Sequence, residues 1–286
     1  MVTSGGPAII QSVVFATRLD QSHAAILAEF LDRDPVVNLF ALGAFEQWGV
    51  VGNPGAEWWG YLSPDGGLDA VVFAEGHRTG LGYSLVVPMG DPGGVTALAP
   101  SVTKRGGASW MVGEMAATGA LSGALSEGDP ALVRRQILMV LKDVRTGPSM
   151  EVRQAVLGDL PWVAEAARTV NEEDLGPGVI DLDGYSFLRT VEASIAAGVE
   201  WIGTGRSYRA KVGTLCRNGA QLGGIWVPPE RRGRGLGQFG TRALCRHLLG
   251  RIPRVTLHLD AGNTRALRCY EAVGFEAVRD FQLWVR

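Results

Sequence analysis

One stretch constrains this chain more than any other: Val227-Pro228-Pro229-Glu230-Arg231-Arg232-Gly233-Arg234-Gly235-Leu236-Gly237. The apolar run Gln221 to Val227 before it reads as a strand, which Pro228-Pro229 ends because proline cannot donate to a β-ladder. Gln238 to Leu249 after it reads as a helix, with Phe239, Leu244, Leu248 and Leu249 apolar. Three glycines in five positions let the turn between them bend tightly and converge successive backbone N–H groups. The helix adds its unpaired first amides and the positive end of its dipole. Such a strand–turn–helix is a receptor for phosphate or diphosphate, and its arginines supply charge-assisted hydrogen bonds. The spacing is neither the dinucleotide fingerprint G-x-G-x-x-G nor the P-loop, which needs a following Lys-Ser/Thr.

The flanking sequence continues the alternation. Arg209 to Cys216 and Gln221 to Val227 are joined by Arg217-Asn218-Gly219-Ala220, and Asn-Gly between apolar runs predicts a hairpin. Val255 to Leu259 reads as a strand and Thr264 to Ala272 as a helix closed at Gly274. Phe281 to Val285 reads as a last strand. Met150 to Val156 reads as a strand, followed by a helix that Asp159 caps and in which Val163, Ala166, Ala167 and Val170 share a face. The same opening occurs near the N-terminus. There Ser12 to Ala16 is strand-like, and Asp20 or Ser22 precedes a helical pattern through Ile26, Leu27, Phe30 and Leu31. The repetition points to an internal duplication. Asp129 to Val144, with Pro130 at a first-turn position, reads as a helix ending before the turn-like linker Arg145-Thr146-Gly147-Pro148-Ser149.

Composition narrows the function classes. The 286 residues carry a formal charge of −2, which argues against bulk attraction to nucleic acid or an anionic membrane. Seven arginines fall between Arg231 and Arg254, but no aromatic platform is interleaved with them, so nucleic-acid binding is not expected. Cys216, Cys245 and Cys269 are far apart and read as small buried hydrophobes, not a disulfide frame or a zinc site. The N-terminus lacks a signal-peptide pattern, and the apolar runs are too short to span a bilayer. A soluble cytoplasmic protein is expected. The oligomeric state stays open.

The glycine turn, Arg232-Gly233-Arg234-Gly235-Leu236-Gly237, matches R/Q-x-x-G-x-G/A in full. Downstream, Asn263-Thr264-Arg265-Ala266-Leu267-Arg268-Cys269-Tyr270-Glu271-Ala272-Val273-Gly274-Phe275 matches N-x-x-A-x-x-x-Y-x-x-x-G-F. With these two elements the chain resembles the GNAT superfamily, the general-control-type N-acetyltransferases, over about residues 150–286. Asp34-Pro35-Val36-Val37-Asn38 is similar to the first part of two-domain bacterial relatives, although residues 1–149 carry no R-x-x-G-x-G. The resemblance implies an α/β (α+β) fold, a mixed and mainly antiparallel splayed sheet flanked by helices. It implies two tandem units: a degenerate N-terminal domain over 1–149 and an acetyltransferase domain over 150–286.

It also implies roles. Acetyl-coenzyme A is the cofactor. Amides of Gly233, Arg234, Gly235, Leu236, Gly237 and Gln238 hold its diphosphate, with Arg232 opening the motif. The backbone of Ile225, Trp226 and Val227 pairs with the pantetheine arm, Asn263 contacts that arm, and Tyr270 protonates the leaving thiolate. The acceptor is a small-molecule or peptide primary amine that attacks directly in a ternary complex, a reaction that needs no metal. The base is open among His258, at a place where some relatives hold a glutamate, and Glu172, Glu173 and Asp174, where the family builds its acceptor wall. A non-catalytic acyl-coenzyme A sensor is the alternative, and a longer acyl donor a variant of the first reading.

Overall fold

The computed structural model describes residues 16–76, 83–125, 128–176 and 184–286. The first half runs β1 (Ala16–Arg18), α1 (Ala24–Asp32), α2 (Leu39–Trp48), β2 (Ala56–Leu62), β3 (Leu68–Gly76), β4 (Tyr83–Gly90), α3 (Pro92–Thr103), β5 (Ala108–Glu114), α4 (Met115–Ala124) and β6 (Leu132–Leu141). The second half repeats that order: β7 (Val152–Gln154), α5 (Leu160–Leu175), α6 (Gly184–Ala196), β8 (Glu200–Gly203), β9 (Arg209–Cys216), β10 (Gly219–Trp226), α7 (Leu236–Leu249), β11 (Val255–Asp260), α8 (Thr264–Val273) and β12 (Glu276–Val285). The duplication suggested by the two similar openings thus extends through every element. Positions 12–15 of the expected first strand lie outside the described residues.

The twelve strands among the described residues join one sheet in the order β1-β2-β3-β4-β5-β12-β6-β11-β10-β9-β8-β7. Only β4–β5 and β10–β11 are parallel pairs; the other neighbours are antiparallel. The last strand of each half is exchanged. β12 lies against β5 of the first half, β6 lies against β11 of the second, and the two pair with each other at the centre.

The helix expected over Asp129 to Val144 is therefore strand β6. Its apolar residues fit either period, and a short apolar run does not distinguish a buried strand from a helix. Partners on both edges decide it, and Leu138 to Leu141 are buried. A second correction concerns Asp159. It stands before α5, but its carboxylate accepts from the Val156 amide (3.1 Å) and from Arg153 (2.8 Å) and Arg206 (3.2 Å), not from the helix's amides. β12 also starts earlier than expected, at Glu276, because β6 offers it a partner that far out.

The halves are packed together. Cys216 from β9 sits in the core that Leu27, Phe30, Trp58 and Phe73 build in the first half, and Arg217 at the hairpin turn takes Glu46 and Asp32 as partners. In the second half, α7 packs so closely on the residue entering β9 that a Cβ on Gly240 would stand 2.3 Å from the buried Tyr208 ring. Tyr208 is also fixed at its hydroxyl, 3.1 Å from Thr241 Oγ1. Gly240→Ala should therefore lower unfolding free energy by roughly 1–3 kcal/mol, the usual cost of forcing extra volume into a packed core. Denaturant titration would check this, and an unchanged midpoint would mean that α7 can move away at no cost.

Candidate active site

β10 and β11 pair at Ala220↔Val255, Gln221↔Thr256 and Leu222↔Leu257, and there the ladder stops. β11 continues against β6 as far as Asp260↔Gln136, so β10 is the strand that departs. It departs because it is bulged against β9 between Gly223↔Lys211 and Trp226↔Arg209. Gly224 takes φ +54° at the bulge, and its carbonyl accepts from Arg209 Nη1 at 3.1 Å. A side chain has no room there: a Cβ on Gly224 would lie 2.7 Å from that nitrogen. Arg209 is buried, and its remaining donors reach Glu200 at 3.0 and 2.9 Å. Ser194 Oγ adds a 3.0 Å bond to Glu200. The buried charges are thus fully partnered, the condition under which an interior ion pair is tolerable.

The gap opens a cavity of about 850 Å³. The strand end Ile225 to Val227, the loop and helix residues Arg232, Gly233, Gly235 to Gln238, and Asn263, Tyr270, His258 and Glu173 all line it. Arg234 and Glu172 are exposed and do not. Gly233 (φ +78°) and Gly235 (φ +76°) turn the loop left-handedly, and the space where a side chain of Gly233 would stand is open. Arg232 does not reach into that space. Its Nε donates to the Val227 carbonyl (3.0 Å) and its Nη2 to both oxygens of Glu173 (2.8 Å each), tying the loop to the end of α5.

The start of α7 has no side-chain cap, since Gly235 occupies the position. The corresponding helix of the first half differs: Asp91 caps α3 and its carboxylate accepts from the Gly94 amide at 2.8 Å. The open amides at α7 and the clear space above Gly233 suit a diphosphate. Asn263 is itself a helix cap, its Oδ1 accepting from the Ala266 amide at 3.0 Å.

Tyr270 packs edge-on to Phe275 at 5.9 Å, and burial holds its phenol well above the ordinary range, so it keeps its proton. Leu257 and Leu259 share Tyr270's core, so His258 between them faces the opposite side of the sheet. There its ring lies 4.5 Å from that of Phe281, and burial pushes its pKa down to about 4. The two candidate proton carriers approach the gap from opposite faces. Asp174 is raised by burial, and its backbone carbonyl accepts from Arg134, whose Nε pairs with Asp260 at 3.2 Å. Arg134 and Gln136 also line the cavity. Sequence reasoning missed both, because they belong to β6 and a helix there would have set them elsewhere. It missed the Glu200–Arg209 pair too, since nothing in the nine positions that separate them marks either charge as buried.

Comparison with known proteins bears on this geometry. Residues 204–285 match the family model described as FR47-like protein. A mycothiol acetyltransferase from Thermobispora bispora is 46% identical over 52 residues, which span 18% of this chain and 18% of that relative. A GCN5-related N-acetyltransferase from Sphaerobacter thermophilus superposes with TM-score 0.61 at 18% identity, over 96% of this chain and 95% of the other. A tandem GNAT protein from the clavulanic acid biosynthesis pathway gives 0.53 at 13% identity, over 96% and 98%. At such identities the solved structures speak for the fold. Among the described residues no helix is long and apolar enough to cross a membrane.

His258 gives a pH test. The folded imidazole takes a proton near pH 4, the unfolded one near 6.5. Between those values the unfolded chain binds the extra proton, so stability present above 6.5 is lost as pH falls toward 4. His258→Gln should remove this part of the acid sensitivity, seen as a smaller drop in Tm between about pH 7 and about pH 4.5. Equal drops in both proteins would show that the imidazole is free to charge in the fold.

Proposed function

We propose that this chain, which has the tandem GNAT fold and an FR47-like C-terminal region, is an acyltransferase that moves the acetyl group of acetyl-coenzyme A to a primary amine within one ternary complex. The observation that carries the reading is the uncapped N-terminus of α7 beside a strand end whose backbone is left unpaired by β11. The FR47-like match over the same residues supports it, as does the name of the relative matched over 52 residues.

When bound, the coenzyme supplies a thioester carbon activated toward amines. The amides from Gly233 to Gln238 hold its diphosphate, and Ile225 to Val227 offer the pantetheine arm the backbone groups that β11 leaves free. A fixed N–H of this strand end stabilises negative charge on the carbonyl oxygen, an effect worth a few kcal/mol in acyl transfer. Tyr270, kept protonated by its burial, gives its proton to the departing sulfur. His258, kept neutral from about pH 4 upward, takes the proton that the attacking nitrogen loses, directly or through water. Glu173 is engaged by Arg232 and serves to hold the loop, so with Asp174 it contributes field and not proton transfer. Residues 150–286 act as the acetyltransferase domain. Residues 1–149 act as a copy whose own carboxylate, Asp91, fills the place of the anion.

The reading is tested by measuring thiol release from acetyl-coenzyme A with a panel of primary amines. Tyr270→Phe should lower kcat by about 100-fold while changing thioester affinity little. Tight binding without turnover, indifferent to that substitution, would instead favour the non-catalytic sensor. Gly235→Asp should put a carboxylate at the α7 amides, as Asp91 does at α3, and lower thioester affinity by about 100-fold or more in calorimetry. Retained affinity would move the diphosphate away from this loop.

A further inference from the structure

Among the described residues six side chains hold a buried polar atom without a hydrogen-bond partner, and three of them line this one cavity: Gln136 through Oε1, His258 through Nε2 and Trp226 through Nε1. A buried polar atom left unpaired costs its full desolvation, so orphans gathered in one cavity mark where a ligand supplies the missing partners.

Gln136 stands on β6, opposite Asp260 of β11 on one side and Phe281 of β12 on the other. Its face of the sheet is settled by Arg134, two residues earlier on the strand. Arg134 reaches the Asp174 carbonyl at the end of α5 and pairs with Asp260. Gln136 thus lies on the α5 side of the sheet, where His258 also points, and away from the core that holds α7, α8 and Tyr270. The diphosphate loop belongs to the α7 side, so this floor faces the incoming amine. Arg134 and Asp260 there satisfy each other. Beside them a neutral carbonyl oxygen and a neutral imidazole are left unpaired.

We propose that Gln136 is a specificity-determining residue: its Oε1 accepts a hydrogen bond from a hydroxyl or amide N–H on the acceptor, which is therefore a hydroxylated or amide-bearing primary amine and not a simple alkylamine. The inference rests on the acyltransferase reading. It also makes the second half's site depend on a strand from the first half. Discrimination of this kind is strong where a site's buried polar group is left unpaired by the wrong substrate.

The test compares glucosamine and glycinamide with propylamine and cyclohexylamine as acceptors. The wild-type protein should favour the first pair by at least about 10-fold in kcat/KM. Gln136→Met, similar in size but without the oxygen, should erase that preference by raising KM for glucosamine and glycinamide, with little change in coenzyme affinity. Gln136→Glu, which keeps an acceptor oxygen, should retain it. If Gln136→Met does not fold, Gln136→Asn, which withdraws the oxygen by one methylene, carries the comparison. A wild-type ratio near one, or a variant that slows all four amines equally, overturns the proposal. Absence of any thioester binding would sink the acyltransferase reading instead. Calorimetric binding of glucosamine would then still decide Gln136: affinity lost in Gln136→Met supports the subsite, and no affinity in the wild type overturns it.

Discussion

The opening in the sheet depends on a buried ion pair. Glu200 and Arg209 face each other across β8 and β9 with almost no exposure, and the one guanidinium nitrogen left over holds the carbonyl of Gly224. An interior charge pair is seldom a net source of stability, because desolvation offsets most of the attraction. Its value here is geometric. It fixes a bulge whose left-handed residue has no room for a side chain, and the bulge turns β10 away from β11. Without that departure the backbone of Ile225 to Val227 would be consumed by an ordinary ladder, and the cavity between the strands would close.

Around this opening the two halves have diverged from one plan. Both contain a single parallel strand pair followed by a helix that begins near the end of the pair. In the first half that helix is capped by a carboxylate of the chain itself; in the second the cap is a glycine and the amides stay open. One residue type at one position is enough to change a helix start from self-satisfied to open, because the same orphan N–H groups can be met by a side chain or left without one. The exchange of β6 and β12 then joins the halves through the centre of the sheet and places side chains of the first half on the floor of the second half's site.

What could be read in advance follows the range of the forces involved. The glycine loop, the Asn218-Gly219 turn, the α7 helix and the stop at Gly274 are all local, set by φ preference, capping and short-range periodicity, and all are found in place. That Tyr270 and Asn263 sit together beside the cavity was legible because one helix and its cap fix their spacing. Asp129 to Val144 misled because Leu132, Val133, Ile137, Val140 and Leu141 satisfy a helical face as well as a strand buried on both sides. The choice between them was made by β11 and β12, which lie more than a hundred residues downstream. Arg232 gained a partner that its charge alone did not announce: Glu173 at the end of α5.

By itself, the sequence determined an α/β chain with a repeated opening, a glycine-punctuated turn at Arg232 to Gly237 that leads into a helix, and a tyrosine one helix away. Each of these is written in residues close enough in the chain to constrain one another directly. Tertiary structure alone decided that β10 leaves β11, that a buried arginine holds it away, and that Gln136 and His258 share a floor. Those outcomes depend on which distant strand finds which partner, a matter of sheet register and desolvation that no stretch of sequence records on its own.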